Sequence, residues 1–226
     1  MHWSNIGLLV IAVSNLIVSS IVWRINPRNK INLSFALNHL LLAGWAFSLA
    51  LFRESSSLSW AQFWVTLQSI FAGTAIIPLF FFSIYFPHQH YVLKNAHKVI
   101  IALSALIVVS LSILPGAWIN GIVLKPHQNE FTLNFFSHLY YVIYFFVFMV
   151  FGLHNLIKKF LRSDGFTRVQ LVSIVPGFVL ILFVSAFVGI LGSLITLSSG
   201  FVWLVPYFIL PTNIAALYLI FFAGKR

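Results

Sequence analysis

The chain has 226 residues, of which 61% are hydrophobic and 7% charged, and its net charge is +10. A soluble domain carries about 25% charged residues, so this composition excludes an ordinary soluble fold and points to a membrane protein. The basic residues lie in short segments between apolar runs, where lipid headgroups and membrane orientation explain them better than nucleic acid does. The absence of cysteine excludes disulfides, iron–sulfur clusters, thiolate metal sites, cysteine nucleophiles and palmitoylation.

A hydrocarbon core about 30 Å thick needs roughly 20 apolar residues per helix. By that measure the sequence predicts an all-α membrane protein, a single seven-transmembrane helical bundle filling 1–226, with spans near 6–23, 33–52, 60–86, 99–118, 131–157, 169–194 and 201–222. The first run has no positive charge before it, and Arg24, Arg28 and Lys30 follow it. That arrangement predicts a retained anchor with the N-terminus outside, not a cleaved signal peptide. With alternating sides from there, Arg24, Arg28, Lys30, Lys94, Lys98, Lys158, Lys159, Arg162, Arg168, Lys225 and Arg226 fall in the cytoplasm, and only Arg53 and Lys125 fall outside. A miscounted span would scramble this separation, so it supports both the count and a cytoplasmic C-terminus. Lipid bilayer is thus one expected partner, and a bacterial cytoplasmic (inner) membrane the expected location.

The connecting segments are short. Residues 53–59 are serine-rich, 87–98 carry His88, His90 and His97, and 115–130 form the longest outer loop, with Gly121 and Pro126 as turn formers. None is large enough for an external sensor domain, so an outside ligand must enter the bundle or act through the bilayer. Between the fifth and sixth spans, Lys158, Lys159, Arg162 and Arg168 face only Asp164. This cluster is the expected cytoplasmic partner surface. Trp3, Trp60, Trp118 and Trp203 near outer span ends, and Trp23 near an inner one, read as an interfacial aromatic belt.

Glu54, Glu130 and Asp164 are the only acids, and all sit at span edges or in loops. The spans hold no deep charge, which argues against a proton pump or a sodium-coupled carrier. The seventh span has no lysine, which excludes a retinal Schiff base. His39 and His154 do not sit level enough for bis-histidine haem, and His88, His90 and His97 lack metal-site spacing, so no cofactor and no metal are expected.

What the spans do hold is a neutral polar set: Asn38, His39 and Trp45 in the second, Gln68 in the third, His138, Tyr141 and Tyr144 in the fifth, and Asn213 in the seventh. Trp45, Gln68, His138 and Tyr141 have matching outer depths. They either line a small-molecule pocket or hydrogen-bond between helices, a contribution averaging about 0.6 kcal/mol each. His138, Tyr141, Phe145, Phe148 and Gly152 follow one helical stripe, which likewise either lines a pocket or packs the bundle. Ser185, Gly189 and Ser193 permit close helix approach, within the bundle or at a homo-oligomer face.

Several segments resemble the N-terminal seven-transmembrane region at the front of many bacterial histidine kinases and related sensors. They are NPRNKINLSFALNHLLLAGWAFSLAL at 26–51, TAIIPLFFFSIYFP at 74–87, the aromatic fifth span followed by Arg168 and Gln170, and VPYFILPTNIAALYLIFF at 205–222. The resemblance implies a sensory input module, with no catalytic residues to carry over. The chain ends at Gly224-Lys225-Arg226, just past the seventh span, so the expected output is a separate protein partner, unless the chain is a fragment of a longer sensor. The alternatives are a structural subunit of a larger membrane complex and an uncoupled carrier of a neutral or lipid-like solute. No buried acid, base or nucleophile pair suggests an enzyme.

Overall fold

The computed structural model describes residues 2–87 and 93–184. The seventh span with Asn213, the Ser185/Gly189/Ser193 stripe, His88, His90, Trp203, Lys225 and Arg226 lie outside the described residues. Six helices and one two-stranded sheet make up the described part: α1 (Trp3–Ile25), α2 (Lys30–Glu54), α3 (Leu58–Tyr85), α4 (Asn95–Ile113), β1 (Ile119–Val123), β2 (Glu130–Leu133), α5 (Phe135–Arg162) and α6 (Gly165–Val184). The first five helices are long and apolar enough to cross a membrane.

Four of the helices, α1, α2, α3 and α5, begin where a polar side chain accepts from freed backbone N–H groups, whereas Lys94 before α4 makes no such bond. Asn29 accepts from the Ile31 N–H at 2.8 Å. Ser57 accepts from Trp60, and Asn134 from Phe136 and Ser137. Asn29 and Ser57 lie just outside the predicted spans and Asn134 lies inside the predicted fifth, while α1, α2 and α5 each run past their predicted bound at the basic end.

α3 is the central helix, packed against α2, α4 and α5, while α1 covers the far side of α2. Its approach to α4 depends on Gly73: a Cβ there would sit 2.3 Å from Val108 Cγ1. Three-quarters of the way along α3, Pro78 removes one backbone donor and so frees the Thr74 carbonyl. The two carbonyls flanking that position each accept from a neighbouring helix. Asn38 Nδ2 of α2 donates to Ala75 O at 2.8 Å, and the Tyr144 hydroxyl of α5 donates to Gly73 O at 3.0 Å. This stretch of α3 is thereby fastened on both sides.

The segment after α4 differs from expectation. The predicted fourth span reached 118 and the predicted fifth began at 131, but α4 stops at Ile113 and α5 starts at Phe135. Between them β1 and β2 pair antiparallel, with a bulge between Ile119 and Gly121. Gly121 lies in β1, not in a turn. The reversal falls at Pro126 and His127, the latter with φ +61°. Ile119, Phe131 and Leu133 point into the bundle and are buried. Trp118, expected in the interfacial belt, is buried too, its ring edge-on to Tyr141 at 4.9 Å. Trp3 and Trp60 are exposed, as belt residues should be.

The hairpin is held at the C-terminal end of α2. Asn129 is buried and donates to Ser55 O at 2.7 Å and to Phe52 O at 2.8 Å, the latter carbonyl also accepting from the Ser55 N–H at 3.2 Å. Phe131 packs edge-on against Phe52. Beside them Glu54 accepts from the His2 backbone at 2.9 Å and from Asn5 Nδ2 at 2.7 Å, and it meets His127 Nδ1 at 2.6 Å. Arg53 Nε donates to Asn5 Oδ1 at 2.7 Å. All these groups belong to one end of the bundle. The other end carries Arg24, Lys30, Lys94, Lys98 and the C-terminus of α5.

Candidate functional site

Two places in the described fold concentrate polar chemistry: the buried level between α2, α3 and α5, and the basic end of α5.

At the first, several expected pocket residues join helices to one another. His39 Nδ1 donates to Asn15 Oδ1 of α1 at 2.8 Å; the amide oxygen faces His39 because the amide nitrogen already donates to Ile11 O. Asn38 and Tyr144 make the α3 contacts described above. Tyr141 lies against Trp118 and near Gly73. His138 is buried near the start of α5. Trp45 is buried among Leu42, Phe71 and Ala72, and Gln68 is buried on α3. Among the described residues Trp45 Nε1 and Gln68 Oε1 have no hydrogen-bond partner. A buried polar group left unmatched costs about 1–3 kcal/mol. One unmatched donor and one unmatched acceptor therefore lie on adjoining helices.

The second place is built from the last turns of α5. The helical stripe through Phe148, Gly152 and Leu156 faces α3 and α6: Ser83 Oγ and Phe178 would contact a Cβ at Gly152. Lys159 continues that stripe. Its ammonium donates to Ser83 O at 2.8 Å, to Ile84 O at 2.6 Å and to Phe86 O. These are carbonyls at the C-terminal end of α3, where the helix dipole is negative. One hydrophilic residue of α5 thus caps a different helix, and α3 and α5 are joined twice, at Tyr144 and at Lys159.

Lys158, Arg162 and Arg168 project outward, and Arg168 lies over the Phe160 ring at 5.3 Å. Of the four residues expected to form a partner surface, three remain exposed and Lys159 is turned inward. The cap was missed because Lys158 and Lys159 look alike in a basic run. The helical phase of the stripe distinguishes them. The role of Asn129 had no comparable signal, since it depends on a hairpin folding back 74 residues along the chain.

No curated protein and no solved structure matches the chain. A family model described as the N-terminal 7TM region of histidine kinase matches residues 7–224. The match runs through the proline-bearing α3, the hairpin and the aromatic α5, and leaves out only the terminal residues. It supports the sensory reading and neither the structural-subunit nor the carrier alternative. With long apolar helices through the described residues and a family match from end to end, the chain is a membrane protein that belongs to the N-terminal seven-transmembrane regions of histidine kinases.

Proposed function

We propose that the chain is a sensory input module of the bacterial cytoplasmic membrane, seven helices with the N-terminus outside and the C-terminus inside, which passes a ligand or bilayer signal to a kinase-type output. The observation that carries this reading is the family match over 7–224. The ligand enters at the level of Trp45, Gln68, His138 and Tyr141. A small neutral molecule with one acceptor and one donor would satisfy Trp45 Nε1 and Gln68 Oε1 together. Binding shifts the bundle only as far as the ligand prefers one packing over another, and two relieved polar groups supply that preference. α3 carries Gln68 and is tied to α5 at Tyr144 and Lys159, so displacement of α3 moves the basic end of α5. Lys158, Arg162 and Arg168 there form the surface that meets the output.

The test is an in-frame fusion ahead of a histidine-kinase core, with reporter output measured in cells. Trp45→Phe and Gln68→Leu should each change output severalfold at unchanged membrane insertion. Wild-type output from both would refute the pocket. Wild-type output after replacing the whole chain with unrelated spans would refute the sensory role.

A further inference from the structure

At the basic end, α3, α4 and α5 diverge around a cavity of about 1000 Å³. Its floor is apolar, formed by Phe80 of α3, Ile100 of α4, and Val147 and Phe148 of α5. Its mouth is cationic, with Lys158 and Arg162 from α5 against the single acid Asp164, and His97 of α4 lines it too. Lys159 also lines it, but its ammonium is committed to the α3 carbonyls. Among the described residues neither Lys158 nor Arg162 is in an ion pair.

The side wall is a seam. α4 packs on α3 and hardly at all on α5. It buries Ile101, Val108 and Ser112 and leaves Val99, Ile100, Leu103 and Leu106 exposed on its flank. A guest with an apolar tail can therefore enter sideways from the bilayer, with its polar end arriving at the cations.

We propose that this cavity holds one anionic phospholipid, its phosphate between Lys158 and Arg162 and its chain along Phe80, Ile100 and Val147. A free anion has no use for the apolar floor, and a zwitterionic lipid brings no net charge to two unpaired cations. The volume lies at the upper end of small-molecule sites, roughly 300–1000 Å³, which suits a headgroup and the first part of a chain. Lys158 and Arg162 also belong to the surface proposed above to meet the output, so lipid binding is read directly, with no signalling readout.

The test is native mass spectrometry of the full chain in mild detergent, titrated with phosphatidylglycerol, phosphatidylcholine or inorganic phosphate. One phosphatidylglycerol should bind at least tenfold more tightly than phosphatidylcholine. A basic residue beside an anionic headgroup is worth about fivefold in affinity. Lys158→Gln with Arg162→Gln should therefore cost roughly twentyfold for phosphatidylglycerol and little for phosphatidylcholine. Arg24→Gln with Arg28→Gln removes equal charge at the same end and should leave the preference intact. Val147→Trp fills the floor with every charge in place, and should weaken both lipids. If the Lys158/Arg162 variant loses helical content, Val147→Trp decides alone. Equal affinity for the two lipids, wild-type binding by Val147→Trp, or equal losses in the two charge variants would overturn the site. Displacement of the lipid by millimolar inorganic phosphate would reassign it to a free anion.

Discussion

Lys159→Met set against Lys158→Met is the sharpest test of how α5 holds α3. The two residues are neighbours with the same charge, so a general effect of removing a cation from the basic end cancels in the comparison. Lys159 gives three charge-assisted hydrogen bonds to α3 carbonyls, while Lys158 is exposed and makes none among the described residues. A hydrogen bond to a charged group contributes about 1.5–3 kcal/mol and a cation at a helix C-terminus up to about 2 kcal/mol. The three bonds share one ammonium that is only partly shielded from solvent, so these contributions do not add. About 2 kcal/mol is expected for the set. For a chain of this length that corresponds to about 4–8 °C in Tm, whereas Lys158→Met should stay within about 0.5 kcal/mol of wild type. Lys159→Arg should recover little, because a planar guanidinium cannot aim at three carbonyls grouped around one point. The assay is thermal loss of helical circular dichroism in a single detergent, with reversibility checked. Equal shifts for Lys158→Met and Lys159→Met would refute the trans-helix cap.

Further expectations test other joints. Gly73→Ala should destabilise by about 1–3 kcal/mol through collision with Val108, and adding Val108→Ala should restore much of that loss in the same melting assay. Asn129→Ala should cost about 2 kcal/mol by removing the side-chain donor shared by the Phe52 and Ser55 carbonyls at the end of α2, and hydrogen exchange should show β1 and β2 losing protection before α3 does. Tyr144→Phe removes one interhelical bond and should cost only about 0.6 kcal/mol; a loss above about 2 kcal/mol would mean the hydroxyl does more than bond to Gly73. Labelling with impermeant reagents should modify the two chain ends from opposite faces of the membrane, and reaction from one face would reject the proposed orientation.

The long helices were legible because hydropathy over about 20 residues is a strong signal, and their true starts at Asn29, Ser57 and Asn134 are ordinary capping positions. The hairpin was not legible for the same reason. Ile119, Phe131 and Leu133 are as apolar as the helices on either side, so they extend the neighbouring spans in any window that averages. The alternation within EFTL is too short to compete. Depth estimates place neutral polar residues of α2, α3 and α5 at matching levels, but do not say which of them bond across helices. Asn38 finds Ala75 O and Tyr144 finds Gly73 O through the packing of α2 and α5 on α3, a three-dimensional circumstance with no local signature.

The polar knot of Asn5, Arg53, Glu54 and His127 bears on how the protein is made. Asn5 and Glu54 emerge early, yet the imidazole that completes their arrangement is synthesised 73 residues after Glu54. Until then the first helical pair has an open end with two ionic side chains and no side-chain donor for the carbonyls at Phe52 and Ser55. Nascent chains arrested before residue 127 should therefore keep this end protease-sensitive, and a chaperone or the translocon itself has reason to shield it. Maturation would register as an abrupt gain of resistance when the hairpin closes over α2, not as a gradual rise with each helix inserted.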